Sequence, residues 1–211
     1  MLLLTVWGFL GGAYAQNNAD DLMKQAQQNL AQKEYIKSRY LFLQAYNAYV
    51  SQGAYSKVVE CGVKVSSLYH QENYYKEAFD MLRSTEAVVY TGEQKEKKAF
   101  PELRFPIIKE RLQMYIKLKN PSRAKEQLDR LEETAKAARN DSLSNDLLYT
   151  QATYYYTFGM NAQGDEAINR LIGKYKAQKN YAKVNDCYKT LIDIARKANN
   201  SALVARTYDQ Y

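Results

Sequence analysis

Apolar residues recur every three to four positions through most of this chain, the spacing that lines one face of an α-helix. Leu22, Ala26 and Leu30 form the first stripe, and Tyr40, Leu43, Tyr46 and Val50 the second. Val58, Gly62, Val65 and Tyr69 form the third, and Ala78, Leu82 and Val89 the fourth. The pattern predicts a first helix capped by Asn18, with Asp20 and Asp21 in its first turn, ending at Lys33-Glu34-Tyr35. Further helices are predicted over about 36–51, 55–71, 75–91, 101–118, 121–139, 143–158, 163–178 and 181–198, with a tenth from about 201. Residues 91–99 have no apolar periodicity and are expected to be the longest loop. Pro106 lies within the first turns of the fifth helix, where it implies a kink or a shifted start.

A second periodicity overlies the first. Five times an aromatic residue stands six positions before a residue just past a turn: Tyr49 and Tyr55, Tyr69 and Tyr75, Tyr115 and Pro121, Phe158 and Gly164, Tyr175 and Tyr181. Self-similarity over a few tens of residues marks stacked helical repeats. Ten helices joined by short turns make about five antiparallel pairs, with within-pair turns near 34, 73, 120, 162 and 199. The expected fold class is all-α, a right-handed superhelical α-solenoid. With 9 Gly and 3 Pro there is little material for hairpins, and Ala and Leu dominate the non-aromatic apolar residues. Tyrosine, at 20 residues, packs like phenylalanine yet keeps a hydroxyl for a partner.

Residues 1–15 are uncharged, apolar and end in Ala13-Tyr14-Ala15, the small-x-small pattern of a secretory signal cleaved before Gln16. The stretch is too short to span a bilayer. Gln16 stands where a lipoprotein has Cys. Residues 16–211 are then one repeat domain, expected to be exported. Cys61 and Cys187 are 126 residues apart. In a solenoid a repeat touches only its neighbours, so both are expected to be small buried residues and not a disulfide.

Small residues with aromatics beside them carry a family resemblance. Ser38, Phe42 and Ala45 match the second-helix signature of the tetratricopeptide repeat (TPR), and Ser66, Tyr69, Asn73, Tyr75 and Ala78 match its first-helix end, turn and second-helix start. Ala167, Leu171 and Tyr175 before Tyr181 match in part. The chain departs from the pattern at Tyr46, at Val58 and Val184 in place of Ala, and in its longer helices. Successive turns all resemble the turn inside a repeat, which leaves the register open. An exported tyrosine-rich array also resembles the periplasmic N-terminal regions of membrane-bound two-component sensor kinases. That resemblance implies a transmembrane helix and a signalling domain beyond Tyr211, with tethering to the inner membrane.

The resemblance implies a non-enzymatic binding module whose concave face takes a peptide, a protein or a small acidic or sugar-like ligand. In the consensus register that face includes Lys109, Gln113 and Lys117 on the fifth helix and Tyr149 and Tyr156 on the seventh. An envelope scaffold that organises other proteins is the alternative. No phosphate-binding loop, metal-ligand spacing or nucleophilic triad is legible, so no cofactor is expected. His70, the single histidine, is expected at a helix C-terminus in contact with the dipole. Asp141-Ser142-Leu143 resembles a short periplasmic O-glycosylation site. The net charge of +7 is concentrated in residues 93–125, with 10 basic and 4 acidic side chains, and in 174–198, with 7 and 2. That distribution would draw an anionic ligand. Nucleic acid is not expected, since export separates the chain from it.

Overall fold

The computed structural model describes the backbone of residues 6–197 and 199–210 and the side chains of 18–197 and 199–209. It contains α1 (Val6–Ala31), α2 (Tyr35–Gln52), α3 (Tyr55–Gln71), α4 (Tyr75–Glu96) and α5 (Pro101–Lys117). These are followed by α6 (Pro121–Ala138), α7 (Asp141–Thr157), α8 (Asn161–Ala177), α9 (Tyr181–Lys197) and α10 (Ser201–Gln210). No strand occurs among the described residues, so the chain is all-α, a repeat-like succession of adjacent helix pairs. It divides into two compact units, residues 1–114 and 115–211.

Short turns fold each helix back on its predecessor. In the first unit α1 packs on α2, α2 on α3 and α3 on α4. Phe42, Tyr49, Val58, Val65 and Leu68 fill one core with Ala26 and Ala45, and Leu82, Val89, Ile107 and Met114 join α3, α4 and α5 in a second. Close approach of the paired helices depends on small residues 12 apart. The Ser38 hydroxyl donates to the Ala26 carbonyl at 2.8 Å, and the Ser66 hydroxyl to the Ala78 carbonyl at 3.1 Å. At Gly62 a Cβ would lie 2.2 Å from Thr85 Oγ1, so only glycine fits there. In the second unit α6 packs on α7, α7 on α8, α8 on α9 and α9 on α10, while α7 also touches α9. Its core is Ala152, Tyr156, Ile168, Leu171, Val184, Leu191 and their neighbours.

The turns explain the aromatic repeat. One residue with positive φ stands at 33, 53 and 73, at 97, and then at 119, 139, 159, 179 and 199. Outside the Lys97 turn these are 20 residues apart: a helix of about five turns and a link of two or three residues. Eight of these turns close with the backbone bond of a Schellman motif, in which the residue after the positive-φ one donates to a carbonyl five residues back, as in Ala54 to Tyr49 at 3.0 Å. The accepting residue is tyrosine at 49, 69, 115, 155 and 175. The fourth aromatic pair is therefore Tyr155 and Asn161, not Phe158 and Gly164. Phe158 follows the last residue of α7.

Two further expectations are corrected. Asn18 does not cap the first helix, because α1 runs through it from Val6. Residues 91–96 belong to α4, and the link is only 97–100. Periodicity failed there because α4 ends on a buried polar residue. Glu93 accepts the Phe100 N–H and the Arg104 Nε–H, each at 2.8 Å, and its pairing with Arg104 holds its carboxyl below the ordinary range. Gly92 lies under the Tyr55 ring, where a Cβ would come within 2.8 Å. Pro106 is accommodated inside α5. The signal-sequence reading falls on residues whose side chains, and for 1–5 the backbone, lie outside those described.

In the second unit one residue ends a helix and caps the next. Asn120, Asn140, Asn180 and Asn200 each accept a backbone N–H from the following helix through Oδ1, at 2.9–3.2 Å. The equivalent Met160 makes no side-chain cap. Met160→Asn is expected to stabilise the protein by about 1 kcal/mol, a rise of roughly 2–4 °C in Tm for a chain of this length. Thermal melts followed by circular dichroism check it; an unchanged or lower Tm counts against the shared-cap geometry.

Candidate ligand cleft on α7, α8 and α9

Two helices separated by a whole repeat present matching stripes. On α7 the stripe is Ser142, Asn145, Asp146 and Tyr149; on α9 it is Lys183, Asp186, Cys187 and Thr190. Both follow the i, i+3, i+4, i+7 spacing of one helix face. With Leu171, Tyr175 and Gln178 from the end of α8 and its turn, they enclose a cleft of about 560 Å³. Leu171 and Cys187 are buried at 2% and 4% exposure and form its floor, while Tyr149 and Tyr175 are half-buried.

The polar groups around the cleft are tied to one another. Lys183 Nζ lies 5.2 Å from the centre of the Tyr175 ring, a cation–π contact. Lys174 Nζ donates to Asn145 Oδ1 at 3.2 Å. Burial raises the Tyr175 phenol above its ordinary pKa, and Cys187 and the Asp146 carboxylate add to the shift. Burial likewise pushes the Cys187 thiol up, with the neighbouring Asp186 adding to it. A thiol so raised is a poor nucleophile at neutral pH.

Of the residues singled out from sequence, Tyr149 lines the cleft. Tyr156 does not: it is 2% exposed, and its hydroxyl donates to Asp165 Oδ1 at 2.5 Å. Its ring lies so close over Gly164 that a Cβ there would come within 2.9 Å. Tyr156 is core, and the ligand role expected for it is withdrawn. Lys109, Gln113 and Lys117 follow one another at i, i+4 and i+8 along α5, the first half-buried and the others exposed. Lys109 and Gln113 belong to the first unit and Lys117 to the second. Tyr175, Lys183 and Asp186 escaped the sequence reading. The available signal was the α7 stripe, repeated on α9.

His70 is not simply an end-of-helix residue. Its Nδ1 lies 3.0 Å from Glu110 Oε1, and both side chains are largely buried. Cys61 and Cys187 are both buried and unbridged. Among the described residues no three His, Cys, Asp or Glu side chains group to hold a metal ion, and no helix is long and apolar enough to cross a membrane. No family model matches the chain, and no curated protein matches it.

Proposed function

We propose that this chain is a TPR-like, non-enzymatic binding module whose α7–α9 cleft receives a peptide or a small polar ligand. The observation that carries the reading is the cleft itself, built from the same face of two alternate helices with a tyrosine on either side. Alternate helices line the groove of repeats of this type, and α7 touches α9 directly. The small pairs 12 residues apart, Ala26 with Ser38, Ser66 with Ala78, and Ala152 with Gly164, support the TPR comparison. They also favour a register in which α1, α3 and α7 are first helices. The aromatic walls and polar rim suit a ligand with both stacking and hydrogen-bonding surfaces.

The wider setting we propose is the exported sensor region of a membrane signal-transduction protein, with an envelope adaptor as the second reading. A transmembrane helix and a signalling domain encoded after Tyr211 support the first; a stop codon there supports the second.

Binding is tested with arrays of defined short peptides and oligosaccharides. Tyr149→Ala is expected to weaken binding of any hit about tenfold, the loss of one aromatic contact. Its melting temperature is expected to stay far closer to wild type than that of Tyr156→Ala. Hits that ignore Tyr149→Ala would place binding elsewhere, and no hit at millimolar concentration argues against a binding module.

A further inference from the structure

We propose that Tyr149 and Leu171 hold the α7–α9 cleft open, and that without them Tyr175 would close it, as its counterpart closes the same place in the first unit. The proposal rests on the binding-module reading for what the opening serves, and on geometry for the opening itself. The two units repeat one another at the spacing of Cys61 and Cys187, 126 residues. At that spacing the core residues Ala26, Phe42 and Val65 fall on Ala152, Ile168 and Leu191, which are core in the second unit. The helices correspond as well: α2 and α3 begin at Tyr35 and Tyr55, α8 and α9 at Asn161 and Tyr181. Tyr55, Lys57, Val58 and Cys61 recur as Tyr181, Lys183, Val184 and Cys187, and no other helix of the chain opens on this series.

The same place is filled in one unit and open in the other. Tyr49, the counterpart of Tyr175, is 0% exposed; its hydroxyl donates to Asp20 Oδ1 at 2.5 Å and lies 3.5 Å from the Met23 sulfur. Asp146 stands where Asp20 does, and its charge helps to raise the Tyr175 phenol, yet Tyr175 is only half-buried and lines a cleft of about 560 Å³. Phenol and carboxylate are therefore common to both units. A carboxylate can also take a further donor beside those it has, as Asp165 takes both Tyr156 and Arg206. What differs is the packing around them: Met23 becomes Tyr149 and Ala45 becomes Leu171. A methionine is flexible enough to fold around a neighbouring ring, whereas a tyrosine ring is rigid. Ala45 sits one helical turn before Tyr49, as Leu171 does before Tyr175, and the leucine takes up space that the alanine leaves for the phenol. Lys57 pairs with Glu60 at 3.1 Å, while Lys183 lies over the Tyr175 ring, so the lysine follows the tyrosine outward. The first unit is sealed by its own side chain, and ligands of the module are expected at one per chain.

Tyrosine nitration with tetranitromethane, mapped by peptide on the intact chain without ligand, tests the gate. In the wild type Tyr175 is expected to be nitrated and Tyr49 to be protected. Tyr149→Met is expected to slow nitration of Tyr175 about tenfold, the population shift that one charge-assisted hydrogen bond supplies. Tyr149→Phe keeps the rigid ring and is expected to leave the rate unchanged. A double-mutant cycle reads the same contact through stability. Tyr175→Phe is expected to raise the unfolding constant about tenfold more in Tyr149→Met than in the wild type, because only the closed ring uses its hydroxyl on Asp146. Equal nitration of Tyr175 in wild type and Tyr149→Met, with no coupling in the cycle, overturns the assignment, and so does ligand uptake at two per chain. If nitration responds as expected while no peptide or oligosaccharide binds, the gate stands and the binding-module reading fails. If ligands bind through Tyr149 while Tyr175 reacts equally in both proteins, the module stands and the gate fails.

Discussion

Tyr156→Ala is expected to destabilise the protein by about 3–5 kcal/mol, the range for removing a buried aromatic side chain. The ring is 2% exposed, and α8 leaves room for it only because Gly164 has no side chain. The cavity cannot collapse readily, since Ala152, Ala167 and Ile168 around it are themselves at low exposure. Tyr156→Phe keeps the ring and removes only the bond to Asp165, a carboxylate that also pairs with Arg206, and is expected to cost about 1 kcal/mol. Urea titrations of the two variants beside Tyr149→Ala give the comparison. Should Tyr156→Ala unfold at the wild-type midpoint while Tyr149→Ala collapses, the two tyrosines have been assigned the wrong way round.

Raising the pH above 9 is expected to destabilise the protein progressively. Burial, helped by Glu60, pushes the Cys61 thiol from 9.0 up to about 12. Tyr49 and Tyr156 are raised well above 10.0, first by burial and then by the carboxylates that accept their hydroxyls, Asp20 and Asp165. Each group keeps its proton in the folded state at a pH where the unfolded chain has released it. The unfolded state therefore binds fewer protons, and stability falls as pH rises. For Cys61 the stabilisation is complete below pH 9.0 and is lost as pH climbs toward about 12; for the tyrosines the loss begins near 10.0. One such group contributes at most about 1.4 kcal/mol per pH unit. Urea unfolding under reducing conditions at pH 8, 9, 10 and 11 is expected to show a progressively steeper decline. Cys61→Ala is expected to flatten its first part, between pH 9 and 10. A stability profile level to pH 11 contradicts the burial of these groups.

Helix positions and turns were legible because their causes are local. Apolar spacing sets the helix faces, and each helix stops where one residue adopts the left-handed conformation. That device repeats every 20 residues outside the Lys97 turn, which is why tyrosines at 49, 69, 115 and 175 could be aligned without a structure. The alignment slipped at Phe158 because three tyrosines and a phenylalanine crowd 154–158, and only the backbone bond from Met160 to Tyr155 selects among them.

The sequence by itself thus determined an all-α chain of paired helices, the bounds of most of them outside α1 and the end of α4, and a Tyr-rich repeat. Burial and partnership were decided only by tertiary structure. Tyr149 and Tyr156 are seven residues apart on nearly the same face of α7, yet one opens to a cleft and the other is sealed against Gly164. Helical periodicity states the direction in which a side chain points, and not what covers it there. Glu93 carries the same lesson with opposite sign: a polar residue at the end of α4, unremarked by any pattern, is buried because Arg104 reaches it from α5. The cleft assembles residues from α7, α8 and α9 that no local window contains.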